Sequence, residues 1–265
     1  MNVIKIYKSI IWGGTLMYIS STTAQTTELL ETQLSGNVQQ SITDLNGQLT
    51  SNDHQIINYS LSDGTVFNTN LLDELDAADL DALHLADDCG PNMYSMDIFT
   101  SINNQVINPA DVFSDDGTLV LDANSLGLPA GSNVDAVTRN PANCDLIVSF
   151  DGFIELGGTV YSGGHLISWN ATDGFSEFND SLAGLPVDAL YILENNHLLV
   201  SFANTVTVLG TIAQPNDVIE INPSNVSAIS FNPLLIDSSW ERSNLDALNV
   251  TSVLKDDLIF INGFE

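Results

Sequence analysis

The sequence predicts an all-β fold: a four-bladed β-propeller whose closing blade is shared by the N- and C-terminal strands. Three observations predict it. A short anchor recurs four times, as Leu80-Asp81-Ala82-Leu83, Val134-Asp135-Ala136-Val137, Val187-Asp188-Ala189-Leu190 and Leu245-Asp246-Ala247-Leu248, with the aspartates 54, 53 and 58 residues apart. Each anchor is followed, at offsets of 14, 14, 13 and 14 residues, by a β-rich run: 93–97 (MYSMD), 147–151 (IVSFD), 199–202 (LVSF) and 258–261 (LIFI). The repeat is also cut. After Asp246 the chain has room for only the first two strands of a unit, and the missing latter pair is found at 55–59 (QIINY) and 65–67 (TVF). Joining the halves completes a fourth unit and removes the open sheet edges that invite aggregation.

Taken in chain order, residues 1–24 read as an export signal. Lys5 and Lys8 form a basic start, residues 10–19 (IIWGGTLMYI) an apolar stretch too short to span a bilayer, and Ser20 to Ala24 a small-residue cleavage zone. Residues 25–52, rich in Thr, Gln, Asn and Ser, form a polar lead-in able to supply a strand. Residues 53–265 form one propeller domain, with blades at about 79–132, 133–185, 186–243, and 244–265 plus 53–70. Within a unit the second strand pair appears as 165–169 (HLISW) with 175–178 (FSEF), and as 217–221 (DVIEI) with 228–231 (AISF). Asp116-Gly117 and Asp173-Gly174 supply residues that tolerate the positive φ of tight hairpins. Apolar residues occupy successive as well as alternate positions, so the sheets are expected to be covered on both faces.

Composition narrows the partners. Of 265 residues 44% are hydrophobic, enough to offset ordering entropy by burial, so this is not a disordered acidic tail. Asp and Glu number 34 against 5 Lys and Arg, a formal charge of −29. Such a surface repels nucleic-acid phosphates and anionic lipid headgroups and attracts cations. Loss of Lys5 and Lys8 with the signal leaves Arg139, Arg242 and Lys255 as the basic residues and takes the charge to −31. The setting predicted is extracellular or periplasmic, where salt screens the charge, with no transmembrane segment once the signal is removed. Cys89 and Cys144 follow successive anchors by 8 and 9 residues, on the same rim of neighbouring blades, and export permits a disulfide between them.

Most catalytic patterns are missing. His54, His84, His165 and His197 show no zinc-type spacing and read as strand or turn residues. There is no Gly-x-Ser-x-Gly elbow, phosphate loop, dinucleotide fingerprint or intact EF-hand loop. No catalytic residue is assigned. Asp97 and Asp151 end their strands at equivalent positions, where turn capping is the default. The candidate site is the set Asp81, Asp135, Asp188 and Asp246, gathered around the axis near a hard cation such as calcium. Oxygen ligands without His favour calcium, magnesium or sodium over zinc. Two unit charges about 7 Å apart repel by roughly 2 kcal/mol at an effective dielectric of 20, so an uncompensated ring is costly. The alternative needs no metal: each Asp turns between blades and accepts hydrogen bonds from its own turn.

The run Gly184-Leu185-Pro186-Val187-Asp188-Ala189, and Gly127-Leu128-Pro129 followed by Val134-Asp135-Ala136, resembles the blade-start pattern of hemopexin-like four-bladed propellers. The resemblance covers the four anchors and implies a cation held by the carbonyls of Ala82, Ala136, Ala189 and Ala247, because there the innermost strands line an ion-binding channel. The repeats and the terminal Gly263-Phe264-Glu265 also resemble secreted bacterial repeat proteins, which implies export. The function expected is a secreted non-catalytic binding or scaffold propeller, cation-stabilised, with an extracellular protein or glycan as partner. A secreted hydrolase with carboxylates at the channel mouth, and a structural matrix component, are the competing classes.

Overall fold

The computed structural model describes strands within 31–70, residues 80–231 except 87, 103, 115, 223, 225 and 226, and residues 245–251. The signal-like segment 1–24 and the run 258–261 lie outside these residues. The described chain is almost entirely β. Near its start come β1 (Glu31–Gly36), β2 (Gln40–Asp44), β3 (Gly47–Ser51), β4 (Gln55–Ser60) and β5 (Val66–Asn70). The first complete unit contains β6 (Leu80–His84), β7 (Met93–Met96), β8 (Thr100–Ile102), β9 (Gln105–Ile107), β10 (Val112–Ser114) and β11 (Leu119–Leu121). A single-turn helix, α1 (Ala123–Leu126), follows, capped by the Asp122 carboxylate and by Gly127 in the left-handed region. The second unit contains β12 (Val134–Arg139), β13 (Leu146–Phe150), β14 (Ile154–Leu156), β15 (Thr159–Tyr161), β16 (Leu166–Asn170) and β17 (Gly174–Asn179). The third contains β18 (Val187–Ile192), β19 (Leu198–Phe202), β20 (Val206–Val208), β21 (Thr211–Ala213), β22 (Val218–Ile221) and β23 (Ser227–Phe231), and β24 (Leu245–Thr251) ends the described chain.

These strands make four antiparallel sheets of four: β6-β7-β10-β11, β12-β13-β16-β17, β18-β19-β22-β23 and β24-β1-β4-β5. Between the second and third strands of each sheet the chain inserts a two-stranded hairpin, β8–β9, β14–β15, β20–β21 and β2–β3 respectively. The unit is therefore six strands, two more than the sequence pattern predicts. The inserted strands are three to five residues long, too short for a period-2 pattern to stand out. Their turns are legible in hindsight. Gly157 and Gly158 (φ 59° and 86°) and Leu209 and Gly210 (φ 49° and 91°) occupy the two central positions of type I′ turns, which match the twist of the flanking strands.

The fourth sheet corrects one expectation. The strand beside β4 is β1, not residues 258–262. The register explains the choice. Leu34, Ser35 and Gly36 face Leu248, Ala247 and Leu245, the same offsets by which Val148, Ser149 and Phe150 face Val137, Ala136 and Val134. The closing sheet is thus one C-terminal strand plus three N-terminal ones, and residues 31–51, expected as lead-in, supply its second strand and its inserted hairpin.

Neighbouring sheets share their cores, as the apolar runs require. Ala82, Met93, Val112 and Leu121 of the first sheet pack with Val134, Val137, Val148 and Ile167 of the second. Ala136, Ile147 and Leu166 of the second pack with Val187, Leu190, Val200 and Ile219 of the third. Burying each such aliphatic side chain contributes about 1.5–3 kcal/mol, the main favourable contribution in a chain with so few ion pairs to form. The first strands β6, β12, β18 and β24 touch one another in succession, and β24 touches β6.

Candidate functional site

Each anchor aspartate occupies the same irregularity. Leu80 faces Met96 and Ala82 faces Ser95, so Asp81 is the extra residue of a β-bulge. Asp135 is passed over between Val134–Phe150 and Ala136–Ser149, and Asp188 between Val187–Phe202 and Ala189–Ser201. Asp246 is passed over between Leu245–Gly36 and Ala247–Ser35. A bulge increases the local twist and re-aims the side chain it carries, which is why bulges gather at rims and sites. Four aspartates therefore stand at one end of the four first strands.

Asn133, the residue before Val134, ties two of them together. Its Nδ2 donates to Asp81 Oδ2 and, at 2.9 Å, to Asp135 Oδ1. The amide Oδ1 of Asn133 is buried and meets no hydrogen-bond donor among the described residues. Burial pushes the Asp135 carboxyl up to about 9, and the charges of Asp81, Asp151 and Asp188 add to the rise against the Asn133 hydrogen bond. Asp81 goes up to about 6, again through burial first, opposed by Asn133 and reinforced by Asp97 and Asp151. Both carboxyls therefore keep their protons to higher pH than a free aspartate, Asp135 more than Asp81. The four alanines after the aspartates are paired residues of their ladders, and Ala82, Ala136 and Ala189 are buried.

The surroundings of two anchor carboxylates are described by their neighbours. The aspartates do gather, as Asp135 feels both Asp81 and Asp188. Asp81 and Asp135 accept from a neighbouring side chain rather than from their own turns. Among the described residues no three His, Cys, Asp or Glu side chains are arranged to hold a metal ion. Asn133 escaped the sequence reading, although the pattern Asn-x-Asp-Ala is visible at both Asn133 and Asn244.

His54 lies outside the described residues, and the other three histidines make contacts within the sheets and turns. His84 is buried in β6, with Nδ1 3.3 Å from Thr138 Oγ1 and its ring 6.3 Å from that of Tyr191. His165 Nδ1 accepts from the Ser162 amide at 3.1 Å, as the carboxylates of Asp111 and Asp217 accept from Asn108 and Gln214 at 2.8 Å in the first and third units. One turn is thus closed by three residues at equivalent positions. His197 pairs with Glu220 across β19 and β22.

Cys89 and Cys144 form a disulfide with Cα atoms 5.1 Å apart. It joins the first turns of two neighbouring sheets at the end opposite the aspartates. Arg139, the only Lys or Arg among the described residues, lies there too, donating to the Cys144 carbonyl at 2.8 Å. No described helix is long and apolar enough to cross a membrane.

No family model matches the chain, and no curated protein matches it. Among solved structures it is similar to a protein of unknown function from Bacteroides caccae, at 12% identity over 77% of this chain and 58% of that one, TM-score 0.31. It is similar to virginiamycin B lyase from Staphylococcus aureus at 14% identity over 78% of this chain and 60% of that one, TM-score 0.31. The extracellular domain of a one-component system from B. thetaiotaomicron gives 10% identity over 78% and 35%, TM-score 0.32. The chain spans about three fifths of the first two chains and about a third of the last. At such scores these likenesses say nothing about what the chain does.

Proposed function

We propose that the chain is an exported, non-catalytic binding module: a four-bladed β-propeller, closed by β24 beside β1, whose acidic mouth takes up a hard cation. The observation that carries this reading is the fourfold bulge. One aspartate position per sheet, at the same bulge in four first strands that touch in succession, supports a shared central ligand. The buried Asn133 Oδ1 offers a further oxygen beside Asp81 and Asp135. Calcium suits such a ligand set, because it takes carboxylate, amide and backbone oxygens in adaptable geometry. Export rests on Lys5, Lys8 and residues 10–19, and the disulfide agrees with an oxidising compartment.

A secreted hydrolase is the second reading, favoured by Asp135, which keeps its proton at neutral pH as a general acid does. It ranks lower because the Asn133 amide already engages that carboxyl.

Thermal melts of the mature protein at pH 8 test the proposal. Calcium at about 100 times its Kd adds about 2.7 kcal/mol, a rise of about 5–10 °C for a domain of this size. It also displaces the Asp135 proton into solution. Asp135→Asn with Asp188→Asn abolishes the calcium-dependent rise if carboxylates hold the ion, and leaves it if the alanine carbonyls do. A melting temperature indifferent to millimolar calcium and to chelator refutes the cation.

A further inference from the structure

The four inserted hairpins share an end with the aspartates. Val134 faces Phe150, so β13 ends where β12 begins, and β14–β15 follows from that point; the other sheets repeat this connection. Each of the three hairpins with described side chains buries one face in the cores of the sheets, through Ile107, through Ile154 and Tyr161, and through Val208 and Ala213. The opposite face is exposed, and it is apolar at the same register position in all three. Val106 faces Ser101, Val160 faces Glu155 and Ile212 faces Thr207 across their hairpins, and the three are 62%, 63% and 61% exposed. Phe153, entering its hairpin, is 82% exposed, and Phe99 stands exposed at the equivalent place in the first unit. An open depression of about 300 Å³ lies beside Phe153, bounded by Pro129, Ser132, Phe150 and Asp151.

Solvent-facing residues at these positions cost a fold nothing to make polar, and Ser101, Glu155 and Thr207, directly across, are polar. Large apolar side chains repeated on one end of a secreted protein mark an interaction surface. The charge beside them says what covers it. Asp97 and Asp151 are exposed at the bases of the first two hairpins, and the only Lys or Arg among the described residues is at the far end.

We propose that this hairpin face is the docking surface for a partner protein segment in which Lys or Arg side chains flank aliphatic and aromatic ones. The apolar side chains of that segment cover Phe153, Val160 and their counterparts, and its cations meet Asp97 and Asp151. The surface lies outside the ring of anchor aspartates, so it stands or falls apart from the cation. A lipid surface is the other class able to cover apolar side chains, and it lacks the complementary charge.

The test uses the mature protein in chelator, which removes the cation from the outcome, and a synthetic peptide Lys-Ile-Phe-Ile-Lys as probe, followed by amide shifts. Saturable shifts confined to the hairpin end are expected. Affinity falls at least fivefold in Phe153→Ser and in Asp151→Asn, falls between 50 and 300 mM salt, and is unchanged in Glu177→Gln on the outer strand. Val160→Thr and Ile212→Thr, which keep the β-branch, weaken binding without altering the melt. The peptide Glu-Ile-Phe-Ile-Glu and phosphatidylcholine vesicles do not bind. Absence of shifts at millimolar peptide, equal binding of the acidic peptide, indifference to these substitutions, or capture by the vesicles overturns the proposal.

Discussion

Asp135 is the residue on which the electrostatics of the molecule turn. Its carboxyl moves from 3.8 to about 9, and that of Asp81 to about 6, so between pH 4 and 9 the folded chain binds more protons than the unfolded one. Stability therefore falls as pH rises through this window: the stabilisation is complete below 3.8 and lost above about 9. In metal-free protein the denaturation midpoint is expected to drop steadily from pH 4.5 to 8.5, and Asp135→Asn to flatten that slope; a midpoint that rises over the interval contradicts the assignment. The anchors were legible as a repeat because their spacing is nearly constant. The direction of the aspartates was not, because strand alternation assigns a side chain by parity and a bulge shifts parity by one. Asn133 was invisible for a different reason: its role depends on Asp81, 52 residues away.

Among the elements, the long buried strands were readable and the short inserted ones were not. The five residues of β13 and of β19 are all buried, and such runs of Val, Leu, Ile and Phe announce themselves. The inserted strands β9, β15 and β21 have only three positions and bury one residue each, and their exposed Val and Ile break the polar half of the pattern. Strand β1 was missed because Glu31–Gly36 is mostly polar, with Leu34 its one large apolar residue. The hairpin turns carry one local flaw. Leu209 adopts φ 49°, a left-handed conformation that costs a branched L-residue about 1 kcal/mol, next to Gly210. Leu209→Asn creates the Asn-Gly sequence preferred by type I′ turns and is expected to stabilise the protein by about 0.5–1 kcal/mol in urea denaturation. A loss of stability on this exchange would show that the turn is held by contacts of the leucine side chain rather than by backbone preference.

For the whole molecule, the decisive feature is how the two ends meet. The sequence showed that the fourth unit is divided, since 55–67 repeats the later strands and Leu245–Leu248 repeats the first. It placed the division after two strands, because 258–261 is the more apolar candidate for the second position. The ladder instead admits β1, whose Ser35 sits opposite Ala247 as Ser149 sits opposite Ala136, and whose following hairpin completes the six-strand unit. With β24 paired to β1, the fourth sheet depends on a contact between residues some 215 apart in the chain, and the proposed ring and acidic mouth rest on that contact. The most direct measurement is an oxidative crosslink. Gln33→Cys with Asn249→Cys places thiols on directly opposed residues of β1 and β24, whereas Ile57→Cys with Phe260→Cys probes the alternative pairing. Peptide mapping of the non-reduced protein is predicted to find positions 33 and 249 joined and positions 57 and 260 free. A bond between 57 and 260, with 33 and 249 left as thiols, would contradict the closure and the mouth built on it.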